Sequence, residues 1–167
     1  MRSVCKRKLK LKNRKENFMK NYLFLMITGL CLLVTGCNYT GTPVEFANTC
    51  NKENDDKYIE VVGFFDNSGS AMCSKSGKEP MRCPIDFIDA VGSTKIPIRA
   101  YIDKGSGASS IDAEKDKPLK IKDDKGEFIE NSTKVKIVAD VNVFDTPPTD
   151  GKMAGCFLTV KKIEKTQ

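Results

Sequence analysis

The segment from Asp66 to Ser70 carries the side chains of a divalent-cation site. A carboxylate and two hydroxyls, at Asp66, Ser68 and Ser70, are the hard oxygen ligands that Mg²⁺ and Ca²⁺ prefer. An apolar, strand-like stretch precedes them, so the three side chains would lie at the end of a strand. The competing interpretation is a polar turn, because Ser, Gly and Asn are common turn residues.

This D-x-S-x-S pattern resembles the metal-ion-dependent adhesion site of von Willebrand A domains. In that family the motif leads directly into a helix of a doubly wound α/β domain. Here Pro80 and Pro84 leave no room for a long helix, and the chain lacks the strand–helix alternation of such a sheet. We therefore predict a turn, no metal and no cofactor, and keep a cation-dependent adhesin as an alternative.

Other catalytic arrangements have little support. The chain contains no His, so the usual general base at neutral pH is missing. Ser109 and Ser110 have no His partner and begin no Ser-x-x-Lys pattern. Asp86 and Asp89 offer the paired carboxylates of a hydrolase, although their spacing alone is weak evidence. A non-enzymatic protein is the prediction, and a carboxylate-based hydrolase is the second alternative.

The strongest motif is Leu33-Val34-Thr35-Gly36-Cys37, which ends an uncharged run of 13 residues, 22–34. A membrane-spanning helix needs about 20 residues, so this run has the length of a signal-peptide core. The motif resembles the lipobox of bacterial lipoproteins, in which the cysteine becomes the acylated first residue of the mature protein. The resemblance implies a signal peptide over 1–36 and diacylglycerol and palmitate on Cys37.

Two further expectations concern the leader. Residues 1–18 are rich in Lys and Arg and precede a second methionine, Met19, which begins a compact lipoprotein signal by itself. We predict that translation starts at Met19 and that 1–18 is an over-extended gene start. Asn38 follows the lipidated cysteine. By resemblance to enterobacterial sorting, the absence of Asp there predicts the periplasmic face of the outer membrane.

Removal of the leader reverses the charge of the protein. The full chain has 28 basic and 22 acidic residues, of which residues 1–36 hold nine basic and one acidic. The mature chain of 131 residues therefore has 19 basic and 21 acidic residues. No sustained basic stripe remains to release phosphate counterions, so nucleic acid is not a predicted partner. The predicted partners are the membrane, through the lipid anchor, and an envelope protein or glycan.

Four cysteines remain after the leader is removed and Cys37 is lipidated: Cys50, Cys73, Cys83 and Cys156. An even number in an exported protein predicts two disulfides, with three possible pairings. We favour Cys73–Cys83, which closes a local loop, and Cys50–Cys156, which ties the start of the domain to its last strand. Zinc bound by all four is the rival, but close C-x-x-C spacing is missing.

Five segments have the alternation of principal strands: 57–65, 83–88, 95–102, 135–143 and 156–163. Gly63 in the first predicts a bulge or bend, and Pro97 in the third predicts an edge position or a bulge. Polar residues 37–56 are predicted to be a lipidated tether. Between the third and fourth strands we predict a helical turn around 111–114 and a hairpin of 119–122 with 127–129.

A bent first strand and a long excursion before the fourth strand predict a small closed barrel. Over 57–165 the pattern resembles the OB-fold, a five-stranded Greek-key barrel, and particularly small secreted lipoproteins of that shape. The resemblance rests on the first strand, which is bent at Gly63, and on the pairing of strand 134–140 with strand 158–163. An immunoglobulin-like sandwich is the alternative, although it usually has about seven strands.

The aromatic residues of the domain are mostly predicted to be core residues: Tyr58, Phe64, Phe65, Phe87, Tyr101, Phe128, Phe144 and Phe157. Tyr101 is the exception, because strand alternation places it with Arg99 and opposite Ile98, Ala100 and Ile102. An exposed aromatic on the third strand of an OB-fold could stack on sugars or bases.

The predicted function is that of a cell-envelope lipoprotein whose domain is a non-enzymatic binding or scaffolding module. The alternatives are a cation-dependent adhesin using Asp66, Ser68 and Ser70, and an envelope hydrolase using Asp86 and Asp89. The fold by itself conveys no function.

Overall fold

The computed structural model describes residues 39–66, 72–113, 119–146, 148–149 and 154–166. The strands are β1 (Thr42–Pro43), β2 (Tyr58–Asp66), β3 (Arg82–Ile88), β4 (Ile98–Asp103), β5 (Ile111–Asp112), β6 (Lys120–Lys122), β7 (Phe128–Ile129), β8 (Val135–Val143) and β9 (Cys156–Lys165). Short 3-10 helices span Phe46–Asn48 and Lys52–Asn54. Across these described ranges, no helix has the length and apolarity needed to cross a membrane.

Five strands close a barrel in the order β2-β3-β4-β9-β8, and β8 pairs again with β2. The pairings are antiparallel, except that β4 and β9 run parallel. This confirms the predicted mainly β, five-stranded, OB-like barrel. The strands form one closed sheet rather than two facing sheets, so the immunoglobulin-like alternative is wrong.

Gly63 lies at the bend of β2. Residues Tyr58–Gly63 of this strand pair with β8, whereas Phe64–Asp66 pair with β3. A Cβ atom on Gly63 would lie 2.6 Å from the Ile88 carbonyl oxygen and 2.7 Å from the Phe87 ring. Only glycine permits this close approach. The predicted bend is confirmed, and it lets one strand close both sides of the barrel.

The barrel interior is filled by alternate residues of each strand, as the period of a β-strand requires. Ile59, Val61 and Phe65 point inward from β2, and Ile98, Ala100 and Ile102 do so from β4. β4 begins at Ile98, so Pro97 precedes the strand and removes no ladder hydrogen bond. Ile96 lies within the predicted strand 95–102 but precedes β4 and is exposed.

The N-terminal segment closes one end of the barrel. β1 pairs in parallel with β2, and the Phe46 ring packs on the Phe87 ring with centroids 5.6 Å apart. The Asp56 N–H donates to the Val141 carbonyl at 2.9 Å. Residues 42–56 belong to the predicted tether of 37–56, yet they pack on the barrel, because Val44, Phe46 and Cys50 contact its core.

A three-stranded sheet, in the order β5-β6-β7, closes the other end. Ile111, Ile121 and Ile129 carry its apolar contacts into the barrel core. The predicted hairpin is present as β6 and β7. The predicted helical turn around 111–114 is wrong at Ile111–Asp112, which form β5 because Ile111 pairs with Ile121. Residue 114 lies outside the described residues.

Two disulfides join Cys50 to Cys156 and Cys73 to Cys83. These are the two pairs that the sequence analysis favoured. The first holds the N-terminal segment to the start of β9. The second links the loop after β2 to β3.

Candidate binding face

The outer surface of β3 and β4 carries an ordered set of side chains. On β3 the outward residues are Arg82, Pro84 and Asp86, and on β4 they are Asp103, Tyr101 and Arg99, in register with them in that order. Their inward neighbours are buried in the core, which turns this row toward solvent. Pro84 and Tyr101 thus form an apolar centre with a charged pair on each side.

Two further rings extend the apolar centre across β9. The Tyr101 and Phe157 ring centroids lie 5.5 Å apart with the rings nearly perpendicular, and Phe144 and Phe157 lie 5.8 Å apart. The edge-to-face geometry of the Tyr101–Phe157 pair is favoured by the ring quadrupoles. The three rings are half-buried, so each supports its neighbours and still reaches solvent. We call Tyr101, Phe144 and Phe157, together with Pro84, the aromatic face.

Ion pairs border the aromatic face along β3 and β4. The Arg82 Nε lies 3.0 Å from an Asp103 carboxylate oxygen, and the Arg99 Nε lies 3.2 Å from Asp86. All four side chains remain partly exposed to solvent. A guanidinium and a carboxylate on each border offer hydrogen-bond donors and acceptors to a polar ligand whose apolar part lies on the rings.

The core prediction for the aromatic residues is wrong for most of them. Of the eight, only Phe65 and Phe87 are buried; Tyr58 and Phe128 are exposed and the others are half-buried. Tyr101 lies on the outer surface, as strand alternation predicted. Phe157 was missed, although the same alternation in β9 would have placed it outside, because Cys156 and Leu158 flank it and are both buried.

The candidate metal ligands are only partly placed. Asp66 ends β2, is exposed, and lies opposite Asp86 in the β2–β3 register. Ser68 and Ser70 lie outside the described residues. Among the side chains that are described, no three His, Cys, Asp or Glu residues converge on a common point. Cys37, the predicted lipidation site, also precedes the described residues.

The candidate hydrolase carboxylates each have a different cation as partner. Asp86 pairs with Arg99, whereas Asp89 pairs with Lys95. The Lys95 ammonium and the Ser93 hydroxyl hold the pKa of Asp89 below its ordinary value. A general acid needs the opposite shift. The direction of the Asp89 pKa shift is therefore that of an ion-paired carboxylate.

Ser109 and Ser110 have structural hydrogen bonds. The Ile163 N–H donates to the Ser109 hydroxyl oxygen at 3.0 Å, which attaches the β5 region to β9. Ser109 has a φ of 47°, an uncommon conformation for a residue with a side chain. The Ser110 hydroxyl donates to the Gly105 carbonyl at 3.1 Å. Ser109 thus attaches this end of the barrel to β9, whereas the Ser110 hydroxyl stabilises its own loop.

A different surface, on β2, β8 and β9, alternates in charge. The Lys136 ammonium lies 2.7 Å from Glu164 and 3.7 Å from Glu60. Hydrogen bonds from Lys136 and Lys162 lower the pKa of Glu164 below its ordinary value. On β8, burial raises the pKa of Asp140, against the opposing effect of Lys161. Paired charges of both signs give this surface no net preference for an anionic partner.

The fold and this geometry define a small OB-like barrel whose interior is filled and whose ends are both covered. No family model and no curated protein sequence matches the chain. A solved structure described as that of a "putative aspartyl-tRNA synthetase" from Leishmania major Friedlin is similar, with a TM-score of 0.43 and 18% identity. The similarity covers 79% of this chain and 22% of that chain. At this TM-score and identity it says nothing about function.

Proposed function

We propose that this protein is a lipid-anchored, non-enzymatic binding module of the bacterial cell envelope. The lipobox that ends at Cys37 is the observation that carries the proposal. Acylation at Cys37 would anchor the domain, since two or more acyl chains give stable membrane attachment. The predicted site of action is the periplasmic face of the outer membrane.

The aromatic face is the proposed ligand surface. In OB-folds the second and third barrel strands, with the loops next to them, bind oligosaccharides and oligonucleotides, and β3 and β4 are those strands here. Because both barrel ends are covered, a ligand has access to the side of the barrel and not to its interior. The rings with their bordering ion pairs suit an envelope glycan or a segment of an envelope protein.

Replacement of Cys37 tests the anchor. We expect Cys37→Ser to move the cleaved protein from the membrane fraction to the soluble fraction, because no thiol remains for acylation. Cys31→Ser, in the leader, is the matched control and should leave the protein in the membrane fraction. The intact mass of the wild-type protein should show acyl chains on Cys37. An unmodified mature N-terminus, or a cleaved Cys37→Ser protein that stays in the membrane, would refute the proposal.

Site-specific crosslinking tests the ligand surface. A photo-crosslinking amino acid at position 101, in cells, should capture one envelope component reproducibly. The same amino acid at position 128, which is exposed on β7 away from the aromatic face, should not capture it. Equal capture from both positions would show that the aromatic face is not the ligand surface.

A further inference from the structure

We propose that the edge of the barrel formed by β1 and the start of β2 lies on the membrane surface, with Tyr39 and Tyr58 in the lipid headgroup region. The aromatic face then points away from the membrane. This inference rests on the proposed lipidation of Cys37. It adds a second contact with the bilayer and an orientation, neither of which a lipid anchor specifies.

The chain is held to the barrel almost immediately after the anchor. Thr42 and Pro43 pair with Ile59 and Glu60 of β2, and the Val44 N–H donates to the Glu60 carbonyl at 2.9 Å. A Cβ atom on Gly41 would collide with the Ile59 backbone, so the chain already lies against β2 at that residue. The fixed part of the domain therefore begins by residue 41.

The short connection limits how far the domain can move from the bilayer. Thr42 is five residues after Cys37, and an extended chain advances at most about 3.6 Å per residue, so the connection spans at most about 18 Å. Tyr39 is two residues after Cys37, within about 7 Å by the same measure. The surface that carries β1 must consequently lie next to the membrane.

That surface has the chemistry of a membrane interface. The Tyr39 and Tyr58 rings pack on each other with centroids 6.0 Å apart, and the two residues are 40% and 44% exposed. Tyrosine is enriched at membrane interfaces because its ring is apolar and its hydroxyl is polar. Beside them, Pro43, Val44 and Val62 line a groove of about 380 Å³ whose borders include Glu60 and Lys136. An apolar surface with charged borders fits the headgroup region rather than the hydrocarbon core.

The topology then sets the direction of the aromatic face. β2 pairs with β3 and β8 in the barrel, whereas Tyr101 and Phe157 lie on β4 and β9, the two barrel strands that do not pair with β2. Outward side chains of β4 and β9 thus point to the opposite side from those of β2. A lipid contact at Tyr58 leaves Tyr101 free to meet a ligand in the periplasm.

Tryptophan fluorescence can test this orientation, because the chain contains no Trp. The full-length lipoprotein, as Tyr58→Trp or as Tyr101→Trp, is reconstituted into phosphatidylcholine vesicles that contain a fraction of lipid brominated near the headgroup. We expect a large loss of Tyr58→Trp emission relative to vesicles without bromine, and no loss for Tyr101→Trp. Both residues lie on the barrel surface, so each Trp can be accommodated without a change in the core.

Flotation of the same vesicles separates the two proposals. If both variants float with the vesicles and their quenching is equal, or Tyr101→Trp is quenched more, the orientation is wrong and the lipid anchor stands. If the wild-type protein does not float, the lipidation proposal fails, and the orientation fails with it. Circular dichroism that matches the wild type confirms that each variant is folded.

Discussion

The two ends of the barrel are covered by segments that are attached in different ways. At one end, residues 42–56 are held covalently by Cys50–Cys156, with Phe46 over Phe87 and the Val143 N–H donating to Asp55 at 2.8 Å. At the other end, β5, β6 and β7 carry isoleucines into the core, and the Asp124 N–H in the turn between β6 and β7 donates to the Ile163 carbonyl of β9 at 2.7 Å. Apolar burial holds β5, β6 and β7 on the barrel, whereas a disulfide holds residues 42–56.

This difference shows how a short polar segment can be part of a folded domain. Residues 42–56 bury few large apolar side chains, so the hydrophobic effect alone gives them limited stability. A crosslink between distant residues lowers the entropy of the unfolded chain and compensates for that deficit. Because both ends are covered, the side of the barrel is the surface that remains open to the proposed ligand.

Removal of Cys50–Cys156 should have the largest effect on stability. Its residues are 106 apart in sequence, whereas those of Cys73–Cys83 are 10 apart. Loop-closure entropy predicts a loss of roughly 4.8 kcal/mol for Cys50→Ala with Cys156→Ala, and roughly 2.7 kcal/mol for Cys73→Ala with Cys83→Ala. Chemical denaturation of both double variants measures the difference. Equal losses in the free energy of unfolding would show that the longer loop closed by Cys50–Cys156 gives this disulfide no larger stabilising effect.

Ile121→Ala should produce the next largest effect, at the end without the long crosslink. Ile121 is completely buried between the three-stranded sheet and the core. Truncation of such a side chain costs about 3 kcal/mol, from lost burial and the cavity that remains. Phe128→Ala, on the exposed side of the same sheet, is the control and should cost less than about 1 kcal/mol. A small loss for Ile121→Ala would mean that β5, β6 and β7 do not stabilise the barrel.

The smallest expected effect is a pH dependence at the first end. The Val143 N–H and the Lys52 ammonium lower the pKa of Asp55 below its ordinary value of 3.8. A carboxyl with a lowered folded-state pKa contributes stability above its unfolded pKa, and that contribution is lost as the pH falls through the folded pKa. Asp55→Asn keeps an acceptor for Val143 but cannot titrate.

We therefore expect the wild type to exceed Asp55→Asn in unfolding free energy at neutral pH, and the difference to shrink in acid. Urea denaturation at a series of pH values measures this. Glu130→Gln, which removes one negative charge from an exposed surface position, is the matched control. A difference that is constant with pH would mean that the Asp55 charge does not hold the N-terminal segment.

Much of the barrel could be predicted from local pattern. The alternation in 135–143 and 156–163 gave strands at those positions, because a strand with one buried face repeats every two residues. Gly63 indicated the bend correctly, and Tyr101 was placed outside by the same period. The candidate surface was predicted less completely, since Phe157 and Phe144 become part of it only when β8, β9 and β4 lie side by side.

The remaining features depend on contacts between distant parts of the chain. Residues 42–56 resemble a linker by composition, and nothing local shows that they meet Val141, Cys156 and Phe87. By local sequence, Ile111 resembles part of a helical turn. Its strand conformation depends on pairing with Ile121. The sequence by itself determined the strands and the bend, and it predicts a leader with a lipobox, because each is encoded by spacing within a few residues. Only the tertiary structure decided which segments cover the barrel ends and which aromatic rings meet on one face, because both depend on neighbours that the chain brings together on folding.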